Sequence, residues 1–203
     1  FLTHTHDDHS GGIKSLAYRT RFIENTKPIL GYPPELDDLI DRQTAEFGYL
    51  NPTTKPNERS TSFFYDVRMG YIQIREGFGI QAFPVDHNIV NSDRDNFPAF
   101  GYTVATSANK KITFSGDTAF PLNPSKYVES DLVIHDVQFY APHDPAAERQ
   151  SYVHCPYAML RDAVPPEHRH KVWLTHTGHE LPPEAKTDGF AGLFKQGSLL
   201  VVD

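Results

Sequence analysis

The stretch Phe-Leu-Thr-His-Thr-His-Asp-Asp-His-Ser, residues 1–10, decides how the rest of the chain is interpreted. His4 and His6 alternate, so an extended backbone turns both imidazoles to the same side, and Asp8 and His9 can curl back from the following turn. Imidazole nitrogen and carboxylate oxygen are ligands for Zn, Mn or Fe, and four diverging ligands suit two ions better than one. A solvated turn or a purification tag is the alternative, but tags are uninterrupted histidine runs.

Length and charge limit the classes of function. The 203 residues are enough for one sizeable core, so we predict a single domain over residues 1–203. No apolar run approaches the roughly 20 residues that span a bilayer, which predicts no membrane partner. The net charge of −7 offers no general attraction for an extended nucleic acid.

The cysteine content and the start of the chain bear on location. Cys155 is the single cysteine, so an internal disulfide is excluded, and with no visible leader peptide we predict a cytoplasmic protein. The chain begins inside a structural element, so a targeting segment could precede Phe1. The sequence allows a homodimer without requiring one.

Apolar patterning predicts layered helices and strands. The predicted helices cover residues 13–22, 34–47 and 155–163. The predicted strands cover residues 28–32, 62–66, 71–75, 79–85, 99–106, 111–115, 131–134, 171–174 and 198–202.

Four apolar segments, the opening residues 1–3 and three of the predicted strands, run into a side chain that can bind a metal. The four side chains are His4, His87, Asp117 and His176. A single histidine after a strand is more often a solvated or capping residue. Four such strand ends together with the opening motif predict one metal centre.

These residues resemble the ligand pattern of the metallo-β-lactamase fold superfamily over essentially the whole chain. The resemblance is carried by residues 4–9, by His87, by Ser-Gly-Asp-Thr at 115–118 and by Leu-Thr-His-Thr-Gly at 174–178. It implies a four-layer α/β/β/α sandwich with the metals at one edge of the two sheets. Members begin with strands before the first histidine motif, so we expect the sequence to be N-terminally incomplete.

The resemblance also implies an assignment of the ligands to two ions. The first ion is bound by His4, His6 and His87. The second is bound by Asp8, His9 and His176. Asp117 bridges both ions. Zn is the predicted metal, with Mn or Fe as alternatives.

Local features are similar to the RNase Z and phosphodiesterase branch. Asp117 stands where lactamases commonly carry Cys or Ser, and His6 stands where flavodiiron reductases usually carry Glu. The segments at 84–87 with 100–102, at 131–136 and at 152–156 are similar to three motifs of that branch. By this resemblance Asp136 and His154 form a proton-shuttling pair near the leaving group. A purely structural hydrogen-bonded pair is the alternative.

Three departures from that branch restrict the substrate. Asp136 replaces a Glu, and Cys155-Pro156 replaces a Ser-Thr pair. Only a tight hairpin separates Tyr102 from Asp117, which leaves no room for the basic arm that grips tRNA. A small anionic ester is therefore a better candidate substrate than tRNA.

Together these features predict a dinuclear hydrolase, most simply a phosphodiesterase on small or cyclic nucleotide-like phosphodiesters. A metal-bridging hydroxide attacks phosphorus, with Asp8, Asp136 and His154 as the catalytic residues. A hydrolase of carboxylic esters, thioesters or lactones is the second hypothesis. A metal-binding regulatory module with little turnover is the third.

The remaining histidines and the cysteine receive weaker interpretations. His135 either orients a metal ligand or is a core residue, and His179 either lines the pocket or lies in a solvated loop. Cys155 is interpreted as a small residue at a helix start, not as a nucleophile. The histidines interpreted as surface residues are His143, His168 and His170.

Overall fold

The computed structural model describes residues 1–26, 29–45, 66–69, 72–87, 98–139, 153–177, 183–195 and 197–199. These residues form two compact units, Phe1–Ile72 and Gln73–Asp203, called here the first and second units. The single domain over residues 1–203 stays a prediction. No helix within the described ranges is long and apolar enough to cross a membrane.

The first unit contains helices and two short strands. Its elements are α1 (Asp7–Ser10), α2 (Ile13–Phe22), β1 (Ile29–Tyr32), a 3-10 turn (Pro34–Leu36), α3 (Asp37–Ala45) and β2 (Asp66–Met69). Strands β1 and β2 pair in parallel, with Ile29 opposite Asp66. Leu2 N donates to Gly31 O at 2.9 Å, so the opening residues run beside β1.

A seven-stranded sheet forms the centre of the second unit. Its strands are β3 (Ile72–Arg75), β4 (Phe78–Val85), β5 (Ala99–Ala105), β6 (Lys111–Phe114), β7 (Leu132–Asp136), β8 (Val172–Thr175) and β9 (Gly192–Leu193), in spatial order of their numbers. The pairings β4–β5 and β5–β6 are antiparallel, and β6 to β9 are parallel. The helices α4 (Pro124–Glu129), α5 (Tyr157–Ala163) and α6 (Pro183–Thr187) connect the parallel strands, as parallel pairing requires.

The pairing register brings four strand ends to one edge of this sheet. The parallel strands β6, β7 and β8 end side by side, with Phe114 opposite Ile134 and Asp136 opposite Thr175. The carboxyl end of β4 reaches the same edge because Val85 pairs with Ala99 at the start of β5. Side chains that follow these strands therefore lie close together.

Apolar side chains of the second unit pack into one core. Val133 of β7, Leu160 of α5 and Leu174 of β8 are fully buried in it. Since β7 and β8 are apolar along most of their length, they match the pattern of strands covered on both faces.

The element bounds agree with the sequence in part. Helix α2 has the predicted limits. The helix predicted at 34–47 opens with a 3-10 turn after Pro33 and continues as α3 to Ala45, and residues 46–47 lie outside the described residues. The predicted helix at 155–163 begins at Tyr157, because Pro156 is extended and caps it. The strand predicted at 131–134 runs on to Asp136, so His135 and Asp136 lie in β7 and not after it.

The end of the chain differs most from the prediction. Ser198 and Leu199 are in no strand, and residues 200–202 lie outside the described residues. The last described strand is β9, only two residues long, and too short for the sequence pattern to reveal. Of the strand predicted at 62–66, only Asp66 is described, where it begins β2.

Candidate metal centre

The first unit holds a cluster of three histidines around Thr3. His4 Nε2 and His6 Nδ1 are 3.1 Å apart, and the rings of His4 and His9 have centroids 4.0 Å apart. The Thr3 hydroxyl lies 3.0 Å from His4 Nδ1 and 3.2 Å from His9 Nδ1. The hydroxyl therefore orients two imidazoles at once.

The short helix α1 explains why His9 returns to His4. His9 N and Ser10 N both donate to His6 O, at 3.0 and 2.9 Å. The Ser10 hydroxyl also donates to His6 O and to Thr5 O, at 3.0 and 3.1 Å. The chain thus turns directly after His6. The side chain of Asp8 is 72% exposed, and its Oδ2 lies 3.5 Å from His9 Nε2.

The histidine cluster fits a divalent metal ion. Two imidazole nitrogens bound to one tetrahedral Zn at 2.0–2.1 Å would lie about 3.3 Å apart. The separation of 3.1 Å between the facing nitrogens of His4 and His6 is close to this value. Neutral imidazoles are ordinary ligands of Zn, Mn and Fe, so the donor chemistry also fits.

The second unit holds a cluster of two carboxylates and two histidines at the sheet edge. One ligand atom from each of its members lies within 4.8 Å of the others. Asp117 follows β6, Asp136 ends β7, His154 precedes α5 and His176 follows β8. The sequence predicted all four as site residues.

Asp136 is the central group of this cluster. Its carboxylate is fully buried and accepts hydrogen bonds from His154 Nδ1 at 2.8 Å, His176 Nδ1 at 2.9 Å and Thr118 N at 2.9 Å. Burial alone would raise the pKa of Asp136, but the hydrogen bonds from the two histidines outweigh burial and hold it below its ordinary value. An ionised Asp136 fixes the Nδ1–H tautomer of both rings, which leaves Nε2 of each as the basic nitrogen.

Backbone conformation places Asp117 and His176. Gly116 has φ +62° and His176 has φ +64°, both in the left-handed region that favours glycine. For His176 this conformation costs of order 1 kcal/mol, and the hydrogen bond to Asp136 offsets it. Asp117 Oδ1 lies 3.4 Å from His176 Nδ1.

Ser115 locks the turn that presents Asp117. Its hydroxyl donates to Gly116 O at 2.6 Å and accepts from Asp136 N at 2.8 Å. The Ser-Gly-Asp motif therefore has a physical basis in the hydroxyl of Ser115, the left-handed turn at Gly116 and the carboxylate of Asp117.

His87 is oriented by the segment that carries His154. Its ring is buried and its Nδ1 donates to Val153 O at 2.9 Å, so Nε2 carries the lone pair. The ring centroids of His87 and His154 are 5.8 Å apart, and those of His154 and His176 are 4.5 Å apart. The second unit thus brings its predicted site residues together.

The sequence interpretation overlooked several orienting groups. Thr3, Ser115 and Thr118 each lie within two residues of a predicted ligand, which is the signal that could have found them. The Val153 carbonyl is a backbone group, so no residue type announces its role.

The weaker interpretations have mixed outcomes. Burial lowers the pKa of His135 to about 4, and its Nδ1 is hydrogen-bonded to Asp136 O. Its ring stacks on that of Tyr127, with the ring centroids 6.0 Å apart. His135 is therefore best described as a neutral core residue. Cys155 is buried, and burial raises its pKa, as expected for an inert thiol. His168 is half-buried and His170 is exposed. His143 and His179 lie outside the described residues.

Comparison with known proteins identifies the family. The family model described as "Anti-Pycsar protein Apyc1" matches residues 1–200. The chain belongs to this family. Two relatives carry the same description. The one from Bacillus phage 010DV004 is 23% identical over 190 residues, and the one from Bacillus phage BSP38 is 24% identical over 190 residues. Each match covers 89% of this chain and 68% of the relative.

Solved structures confirm the metallo-β-lactamase fold. Human tRNase Z, short form, has a TM-score of 0.53 at 19% identity, covering 87% of this chain and 71% of that one. Unliganded yeast PDE1 has a TM-score of 0.57 at 14% identity, and the match covers 89% of this chain and 56% of that one. A diphosphatase from the PhnP family has a TM-score of 0.55 at 16% identity, and the match covers 91% of this chain and 62% of that one.

These findings confirm two predictions made from the sequence. The first is the fold class, an α/β protein of the metallo-β-lactamase type that resembles the RNase Z and phosphodiesterase branch. The second is the enzyme class, a metal-dependent hydrolase of the phosphodiesterase type.

Replacing Asp136 by Asn tests the central carboxylate. The Asn side chain has one carbonyl oxygen and so cannot accept from Nδ1–H of both His154 and His176 as the carboxylate does. We therefore expect the affinity for the metal to fall about 10–100-fold. Competition with a chromogenic chelator measures the affinity. Asp131→Asn is the matched control, since Asp131 is an exposed carboxylate bound to Lys111 N and Lys110. Equal affinities in the two variants would show that Asp136 does not orient the ligands.

Proposed function

We propose that this protein is a dinuclear phosphodiesterase for small or cyclic nucleotide-like phosphodiesters. The observation that carries the proposal is the double hydrogen bonding of buried Asp136, which orients both His176 and His154. His176 is a ligand in the family pattern and His154 is not. A ligand and a proton carrier aligned by one carboxylate suit hydrolysis better than passive metal storage.

The proposed ligands are those that the family resemblance implies. His4, His6 and His87 would hold one ion, and the other would be held by Asp8, His9 and His176, with Asp117 shared. Zn is the proposed metal. Two such ions, when bound, would polarise the phosphoryl oxygens and acidify a water to a hydroxide nucleophile. Support comes from the two clusters, each of which has donor atoms suited to a divalent cation.

His154 is proposed as the general acid for the leaving group. Its Nδ1–H is held by Asp136, which leaves Nε2 as the nitrogen that can pass a proton to the leaving group. The side chain is 23% exposed, which leaves it accessible to a bound ester. His154 would give this proton to the departing alkoxide, while Asp136 keeps the ring in place.

The form of the β5–β6 hairpin supports a small substrate. Thr106 N donates to Lys110 O at 2.9 Å, and Asn109 adopts φ +59° to close the turn. Between Tyr102 and Asp117, all of which the structure describes, no arm extends from the sheet. Together with the net charge of −7, this argues against tRNA as the substrate.

A substrate panel tests the proposed function. We expect the metal-loaded protein to hydrolyse a nucleoside cyclic monophosphate and bis-p-nitrophenyl phosphate, and to be far slower on a thioester and a lactone. Release of product from each is measured under the same metal loading. Turnover of the thioester or lactone with inert diesters would instead support the carboxyl hydrolase, and no turnover of any substrate would support the regulatory module.

His154→Ala tests the general acid. Protonation matters most for a poor leaving group, so we expect kcat to fall about 10²–10⁴-fold on an alkyl diester and much less on a p-nitrophenyl diester. His170→Ala is the control, because His170 is an exposed histidine in the turn before β8. Metal content of both variants is measured in parallel. Equal losses on the two diesters would remove His154 from proton transfer.

A further inference from the structure

A cavity of about 430 Å³ opens in the second unit beside the carboxylate cluster. Its volume falls within the range of about 300–1,000 Å³ that is usual for small-molecule sites. The walls come from the end of β4, from the segment after β6 and from α4. The residues that matter below are Phe83, Asp86, Thr118, Phe120, Leu122 and Lys126.

The cavity shares its framework with the candidate metal centre. Asp86 precedes His87 and Thr118 follows Asp117, so two lining residues adjoin proposed ligands. Ala119 N donates to Asp86 O at 2.6 Å, which ties the two wall segments together. Thr118 N donates to Asp136 Oδ2, so the wall is also fixed to the centre of the cluster. The cavity wall and the cluster are therefore built on the same two segments, residues 86–87 and 117–118.

Phe120 offers an aromatic face at this cavity. Its side chain is 41% exposed, although a large apolar ring usually seeks burial. The Thr118 hydroxyl donates to Phe120 O at 3.0 Å, which fixes the backbone that carries the ring. An exposed aromatic ring on a fixed backbone is a common platform for a stacked base.

Lys126 of α4 supplies a cation to the lining of the cavity. Its Nζ lies 4.1 Å from the centroid of the Phe83 ring and donates to Thr103 Oγ1 at 3.1 Å. The Phe83 ring lies against its cross-strand partner Gly101, where an added Cβ would come within 2.4 Å of it. The ammonium is thus held on a fixed surface, and it has three donors and no acceptor.

We propose that this cavity binds the base of the nucleotide substrate, with the base stacked on Phe120 and Lys126 donating to a ring nitrogen or carbonyl oxygen. This inference rests on the proposed function. The largely apolar lining, with Phe83 and Leu122, suits a base better than a second phosphate, which would need several donors. Every base has an aromatic face and an acceptor, so the site tolerates different bases.

Phe120 variants test the stacking. The measurement is kcat/KM for a nucleoside cyclic monophosphate divided by kcat/KM for the same ribose cyclic phosphate with a methyl group in place of the base. We expect Phe120→Leu to lower this ratio about tenfold and Phe120→Tyr to retain it, since stacking needs the aromatic face. A ratio that Phe120→Leu leaves unchanged, or that both variants lower equally, would overturn the proposal. Melting temperatures identify a folding defect.

Lys126 variants test the hydrogen bond by direct binding. The measurement is calorimetric titration of the metal-loaded protein with a nucleoside 5′-monophosphate and with inorganic phosphate. We expect Lys126→Met to bind the nucleotide about tenfold more weakly and to bind phosphate as the wild type does. Lys126→Arg should bind both ligands with nearly wild-type affinity. Lys110→Met is the control, because Lys110 lies in the β5–β6 turn near Asp131. An equal loss for phosphate would mean that Lys126 contacts the anion and not the base.

The binding data separate this inference from the proposed function. If the wild-type protein hydrolysed neither the nucleoside cyclic monophosphate nor bis-p-nitrophenyl phosphate, the proposed function would fail. The calorimetric comparison would still decide whether the cavity binds a base. If both diesters were hydrolysed and the variants changed neither the ratio nor the affinity, only the base site would be refuted.

Discussion

The buried carboxylate of Asp136 is the constraint on which the site of the second unit depends. A carboxylate with no exposure to solvent is costly unless donors surround it, and here His154, His176 and Thr118 supply them. The same bonds define which nitrogen of each ring is basic. Folding energy and site geometry are therefore linked, because the groups that satisfy the buried charge are those that the proposed chemistry needs.

The sheet register explains how distant residues meet. Strands β6, β7 and β8 are parallel and end at one edge, and β4 reaches that edge through its antiparallel pairing with β5. Left-handed turns at Gly116 and His176 then direct side chains along the edge. A cavity beside this edge, with one exposed aromatic ring and one held ammonium, gives the proposed diesterase a place for the base of its substrate.

The sequence carries the ligand chemistry more clearly than the substrate site. His87, Asp117 and His176 follow apolar strands, so pattern alone predicts that they converge. Phe120 and Lys126 belong to no motif, and they line one cavity only because β4, the segment after β6 and α4 come together in the fold. Strand β9 escaped prediction because two residues carry no periodicity, and the extension of β7 through Asp136 depends on pairing with Thr175.

The metal content of the purified, metal-replete protein tests the central claim of a dinuclear hydrolase most directly. Elemental analysis of the same sample that hydrolyses a nucleotide diester gives the number of ions per chain. Two divalent ions per chain, with Zn predominant, is the predicted result. Full activity with one ion per chain, or with none, would contradict the account.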